Sequence, residues 1–201
     1  MHHKQGTPQL ILILGGARSG KSTFAEHLAL RSGHSVAFIA TATASDDEMR
    51  ERIEHHRASR PTSWSTIEEP YNLPDAINRA AKQADVLLLD CMTIWLNNWL
   101  LAQKITELEE AAAANMQYTE AVLAAVDELL AAFAVLPTNK TLIVVTNEVG
   151  LGIVPAYALG RMYRDLLGLV NQRLAIAADR VYLMVAGLGV DIKRLHEEAS
   201  L

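Results

Sequence analysis

Leu10-Ile11-Leu12-Ile13-Leu14 runs straight into Gly15-Gly16-Ala17-Arg18-Ser19-Gly20-Lys21-Ser22, and an amphipathic stretch, Ser22–Arg31, follows. Five consecutive apolar residues read as a strand covered on both faces. The octapeptide fits the spacing G-x-x-x-x-G-K-S/T of a phosphate-binding loop. The glycines let backbone N–H groups turn inward and form an anion nest. The start of the following helix adds its partial positive charge. Lys21 has the reach to meet β- and γ-phosphates, and the Ser22 hydroxyl suits Mg2+. The order strand, loop, helix separates this segment from an ordinary glycine-rich turn.

Working outward, four further apolar runs read as strands: Val36–Ala40, Val86–Leu89, Thr141–Val145 and Val181–Val185. Helical candidates lie between them: Asp46–Arg57, Leu73–Gln83, Met92–Gln103, Glu107–Leu136 and Tyr163–Ala178. Alternation of this kind predicts an α/β fold with a mostly parallel sheet and right-handed crossovers. Residues 1–9 read as a loose N-terminal segment, with His2 and His3 in it. Residues 10–201 read as a single domain, without a linker or an internal repeat.

The chain has 201 residues, half of them hydrophobic, and a formal net charge of −5. Such a balance argues against a broad nucleic-acid binder, which needs a basic face. It leaves room for a phosphate ligand held by one loop. A single cysteine, Cys91, excludes an intramolecular disulfide framework and a multi-cysteine zinc site, and a reducing cytoplasm is the expected compartment. The run Leu10–Leu14 is too short for a membrane span.

Ligands of open parallel sheets bind at the carboxyl ends of the strands. The polar residues that end the apolar runs are therefore candidates. The second predicted strand ends at Thr41, the third at Asp90, and the fourth at Thr146-Asn147-Glu148. Asp90, after four apolar residues, stands where an acid that holds Mg2+ is expected. Asn147–Pro155, broken by two glycines and a proline, reads as a functional loop or a plain connection. Arg161, Arg164 and Arg173 beyond it are weaker candidates for phosphate. Trp95 and Trp99, one helical turn apart, read as core or subunit contacts.

His55-His56 closes the charged stretch Ser45–Arg57. On a helix, Met49, Ile53 and His56 share one face, while His55 projects from another. Neutral imidazole is a competent nucleophile near pH 7. From these residues alone, an exposed or capping pair is the simpler reading.

Taken together, GGARSGKS at Gly15–Ser22, Ile39-Ala40-Thr41, the Asp46–Arg57 segment, Arg60-Pro61, TNEVGLGIVP at Thr146–Pro155 and VNQRL at Val170–Leu174 resemble a known family. It is the bifunctional adenosylcobinamide kinase / adenosylcobinamide-phosphate guanylyltransferase of cobalamin biosynthesis. The resemblance runs from Leu10 to about Ile192. It implies a RecA-like sheet and two reactions. ATP or GTP first phosphorylates adenosylcobinamide. GTP then guanylylates an enzyme histidine, which matches His55, and the phosphorylated cobinamide takes up the GMP to give adenosylcobinamide-GDP. By the same matching, nucleotide contacts are expected from Gly15, Gly16, Ala17, Arg18, Ser19, Gly20, Lys21 and Ser22. Further contacts are expected from Ala40, Thr41 and Ala42, from His56, Arg57, Ala58 and Ser59, and from Glu68 and Asp90. Ser22 and Asp90 are the expected Mg2+ ligands. The resemblance also suggests a homotrimer with the corrinoid between subunits. The chain departs from the usual family pattern at Asp90, where Glu is common, at Ala42, where Ser is common, and at Ala58-Ser59.

Two other readings fit the phosphate loop. One is a small-molecule kinase that uses no covalent histidine. The other is a nucleotide-dependent switch or assembly ATPase acting on a protein partner. The loop is common to all three, so the combination of motifs decides between them.

Overall fold

The computed structural model describes residues 7–43, 51, 60–103 and 108–199. In chain order its elements are β1 (Gln9–Gly15), α1 (Lys21–Arg31), β2 (Val36–Ala40), β3 (Ser65–Glu68), α2 (Leu73–Ala81), β4 (Val86–Asp90) and α3 (Met92–Ala102). There follow α4 (Leu108–Ala134), β5 (Thr141–Val145), α5 (Ala158–Ala177), β6 (Arg180–Val185), β7 (Leu188–Asp191) and α6 (Ile192–Ala199). The seven strands form one sheet in the order β3-β2-β4-β5-β1-β6-β7. All neighbours are parallel except β6 and β7.

The apolar runs are continuous because both faces of the sheet are covered. Ile11, Ile13, Phe38, Leu88, Ile143 and Val145 turn to one face, where α1 packs with Ala25 and Ala29. Leu10, Leu12, Ile39, Leu87, Leu89, Leu142 and Val144 turn to the other. There they meet α2, α3, α4 and α5 through Ile77, Leu96, Val126 and Leu167. Strand alternation alone assigns these two sets.

All five expected strands are present, and two short ones join them. β3 has the sequence Ser-Thr-Ile-Glu and buries only Ile67. β7 has the sequence Leu-Gly-Val-Asp and buries none of its residues. Both lie at sheet edges, where a strand needs little apolar surface. α5 begins at Ala158, five residues before the expected Tyr163. Its first turn carries Gly160 and few buried side chains, so the apolar pattern starts later than the helix. The expected helix Asp46–Arg57 falls mostly outside the described residues.

The C-terminal helix α6 serves as a clamp. The Lys193 ammonium donates to the carbonyls of Ala175 at 2.9 Å, Ile176 at 3.3 Å and Ala178, at the end of α5. A cation on the last carbonyls of a helix satisfies groups that have no intrahelical partner. Lys193→Met is expected to lower stability by about 1.5–3 kcal/mol, read as a lower urea midpoint at constant slope.

Candidate active site at the carboxyl edge of the sheet

β1 ends at Gly15, where the chain must turn sharply away from β6. A Cβ on Gly15 would lie 2.5 Å from the Met184 carbonyl oxygen and 2.9 Å from Ser19 Oγ. Only glycine fits between them. The loop then curls back, with Ser19 N–H donating to the Gly16 carbonyl at 3.3 Å and Arg18 at a φ of 55°. Gly20, at a φ of 93°, leads into α1, and no side chain caps that helix. Its first-turn N–H groups therefore face the loop, ready for an anion.

A second turn braces this loop from outside. Gly187 N–H, between β6 and β7, donates to the Ser19 carbonyl at 3.0 Å. A Cβ on Gly20 would come within 3.2 Å of Gly187 Cα. Sequence reasoning did not single out this β6–β7 turn; the Ala186-Gly187 pair, both at positive φ, was its signal.

Lys21 lies inside the cradle and is only 8% exposed. Its ammonium donates to the Gly16 carbonyl at 2.6 Å. Burial lowers its pKa, and the negative charge of Asp90 opposes that shift. Asp90 stands two strands from β1, with β5 between them. Asp90 is half-buried at the end of β4. Among the described residues, no hydrogen-bond donor holds its carboxylate. Next to it, burial and the charge of Asp90 push the Cys91 thiol up to about 11, so it stays protonated and inert near neutrality.

Polar residues behind the edge hold the strand ends. Thr146 N–H donates to the Ile13 carbonyl at 3.0 Å, and Glu148 N–H to the Gly15 carbonyl at 2.9 Å. The Thr93 hydroxyl accepts from Asn147 N–H at 2.8 Å. Asn171 donates to the Asn147 carbonyl at 2.9 Å and shares a 2.8 Å bond with the Thr146 hydroxyl. Tyr163 O–H donates to the Thr93 carbonyl at 2.8 Å, and burial raises its pKa. The Glu148 carboxylate accepts from Gly150 N–H at 2.6 Å. Thr93 and Asn171 were not expected as site residues. Asn171 is buried on α5 with both amide atoms engaged, as a buried polar side chain requires.

The other candidates spread along the same edge. Ala40 and Asp90 are register partners, as are Ala40 and Glu68. With strands about 5 Å apart, Asp90 stands roughly 10 Å from β1 and Glu68 roughly 19 Å from it. Glu68 is exposed. Thr41 has no exposed surface and its polar atoms are engaged within the protein, while Ala40 and Ala42 on either side of it are half-buried. His55, His56, Arg57, Ala58 and Ser59 lie outside the described residues.

The three arginines bond elsewhere. Arg161 donates to the carbonyls of Pro155 and Ala156, Arg164 pairs with Asp165, and Arg173 with Asp127. Trp95 is a core residue whose indole N–H donates to the Tyr71 carbonyl at 3.0 Å. Trp99 is half-buried and meets the Tyr118 ring edge to face.

The site thus joins an anion nest, a buried lysine, and the oxygen donors Ser22 and Asp90 on one edge. Comparisons with known proteins bear on the fold and the family. A solved ATPase from the type III secretion system of pathogenic bacteria superposes with a TM-score of 0.55 at 12% identity, over 96% of this chain and 54% of that one. That likeness supports the phosphate-loop NTPase fold and nothing finer. The bifunctional adenosylcobalamin biosynthesis protein CobP of Pseudomonas aeruginosa is 43% identical over 182 residues, 90% of this chain and 96% of that protein. The proteins named CobU of Escherichia coli and Salmonella typhimurium are 43% and 44% identical, each over 92% of this chain and 99% of theirs. A family profile described as cobinamide kinase / cobinamide phosphate guanyltransferase matches residues 11–192. With that match spanning nearly the whole described sheet and its site, the chain belongs to the cobinamide kinase / cobinamide phosphate guanyltransferase family.

Proposed function

We propose that this chain performs both transfers in succession: phosphorylation of adenosylcobinamide by ATP or GTP, then guanylylation of the product by GTP. The observation that carries the reading is the uncapped α1 N-terminus with buried Lys21 inside a glycine cradle. Oriented backbone N–H groups and one ammonium stabilise the charge that develops on a transferring phosphoryl group. An acidic chain thereby holds a triphosphate without a basic surface.

Gly15–Ser22 bind the phosphates. Ser22 and Asp90 are the ligands we assign to Mg2+. Hydroxyl and carboxylate oxygens suit that hard ion, and the carboxylate is not committed to a donor among the described residues. No group of three or more His, Cys, Asp or Glu able to hold a metal occurs among the described residues. An ion held by these residues would supply charge neutralisation to the phosphates.

In the first transfer the cobinamide hydroxyl oxygen bonds the γ-phosphorus, the bond to the nucleoside diphosphate breaks, and the hydroxyl proton leaves. In the second, a nitrogen of His55 bonds the α-phosphorus of GTP, and pyrophosphate departs. A phosphate oxygen of the phosphorylated cobinamide then bonds that phosphorus, and the P–N bond breaks. Ala40, Ala42, His56, Arg57, Ala58, Ser59 and Glu68 are assigned to the guanine nucleotide in this step. The carboxylate of Glu68 is suited to the N–H groups of guanine.

The exposed apolar residues Leu151, Ile153, Val154 and Tyr157, next to the β5 tip, are the surface we assign to the bulky cobinamide. We assign residues 10–201 to a single catalytic domain, a homotrimeric assembly and a cytoplasmic location. No helix of the described residues is long and apolar enough to cross a membrane.

Purified protein given adenosylcobinamide, Mg2+ and GTP is expected to release pyrophosphate and form adenosylcobinamide-GDP, resolved by chromatography. Accumulation of adenosylcobinamide phosphate alone would leave a simple kinase. Nucleotide hydrolysis without either product would point to a switch or assembly ATPase.

A further inference from the structure

Thr41 closes β2 beside the last residue of β4, and its polar atoms bond to the chain around Asp90. Its N–H donates to the Asp90 carbonyl at 3.2 Å. Its hydroxyl accepts from Cys91 N–H at 2.9 Å and donates to the Cys91 carbonyl at 2.8 Å. Its own carbonyl accepts from the Asn98 amide at 2.8 Å. Thr41 is 0% exposed and Asn98 7%, so water does not substitute for these bonds. One side-chain hydroxyl thus bonds both backbone polar groups of the residue after Asp90, whose carbonyl also accepts from Trp95 N–H at 3.1 Å. The carboxylate of Asp90, in contrast, has no donor among the described residues to aim it. Its direction is set by the backbone on which it stands.

We propose that Thr41 is a positioning residue for Asp90: its hydroxyl fixes the Asp90–Cys91 backbone and so aims the carboxylate at the Mg2+ of the bound nucleotide. This rests on the assignment of Asp90 as a metal ligand. It differs from a direct nucleotide contact by Thr41, whose hydroxyl is already committed twice. Asn98 holds the opposite side of Thr41 and keeps the residue from turning. Residues that orient a ligand from behind are commonly worth 10–100-fold in metal affinity.

The test measures Mn2+ affinity of the protein–GDP complex by electron paramagnetic resonance, beside GDP affinity without metal. Thr41→Val keeps the shape and loses the hydroxyl. It is expected to weaken Mn2+ binding about 10-fold or more, with metal-free GDP binding unchanged, while Thr41→Ser retains tight Mn2+ binding. A purely structural role would lower the melting temperature and leave the Mn2+ affinity of the folded fraction intact, which overturns the proposal. Parallel loss of metal-free GDP binding overturns it as well, in favour of a nucleotide contact. Asp90→Asn separates the two assignments. If it weakens Mn2+ binding and Thr41→Val does not, only the role of Thr41 falls. If Asp90→Asn leaves Mn2+ binding intact, the metal assignment falls and takes this proposal with it. Should the valine variant not fold, Asn98→Ala, which frees the carbonyls of Thr41 and Pro70, is expected to weaken Mn2+ binding about threefold, and no change there is equally decisive against it.

Discussion

Replacing Lys21 by methionine is expected to lower both transfers by about 10²–10³-fold while leaving the protein at least as stable. The two halves of this expectation have one cause. Lys21 is an ammonium buried in the phosphate loop, and burial lowers its pKa. Between that lowered value and the ordinary 10.5, the folded lysine is neutral while the unfolded one is protonated. The unfolded state then binds more protons, so the lysine makes stability rise with pH through that window. Below it, the folded protein bears the full cost of a buried cation. Its bond to the Gly16 carbonyl offsets only part of that cost. Methionine removes the burden and fills much of the same space. Thermal melts at neutral pH, together with initial rates for each transfer, check the prediction. A melting temperature well below that of the parent would mean that Lys21 supports the fold rather than the chemistry.

The second large effect divides the two reactions. His55→Ala is expected to reduce formation of adenosylcobinamide-GDP by on the order of 10⁴-fold or more, because a nucleophile has no substitute in the site. Phosphorylation of adenosylcobinamide is expected to persist within a few-fold, since it needs only the loop, Lys21 and the metal ligands. Adenosylcobinamide phosphate should therefore accumulate. His56→Ala is expected to retain covalent chemistry and to raise the KM for GTP. Separate assays with ATP as the phosphoryl donor and GTP as the guanylyl donor resolve these outcomes. Equal loss of both transfers in His55→Ala would place the histidine in a shared binding role.

Much of the fold was legible because the strands that build the core are apolar on both faces. Ile11 and Ile13 face α1, while Leu10 and Leu12 face the other layer, and neither set leaves a polar gap in the pattern. β3 and β7 escaped notice for the same physical reason. An edge strand with one buried residue, or none, carries no comparable signal. Of the candidate site, the phosphate loop and Asp90 could be placed at strand ends from spacing, since each ends an apolar run. The supports could not. Thr93, Asn98 and Asn171 are three of several polar residues on α3 and α5, among them Asn97 and Gln172, and only the packing of those helices brings them behind the strand ends. Gly187 likewise acquires its role from the β6–β7 turn, which brings it against Ser19, far away in sequence. The family motifs point to Thr41 as a residue of the nucleotide site, but only the geometry shows that its hydroxyl holds the Cys91 backbone.

The central claim is a covalent guanylyl-histidine on a chain that also phosphorylates its substrate. Incubation with Mg2+ and GTP carrying radiophosphorus at either the α- or the γ-position tests it most directly. The predicted result is protein-bound label from the α-position alone, acid-labile and base-stable, absent from His55→Ala and discharged by adenosylcobinamide phosphate. Protein that takes up no α-label in the presence of Mg2+, or whose label survives in His55→Ala, would contradict it.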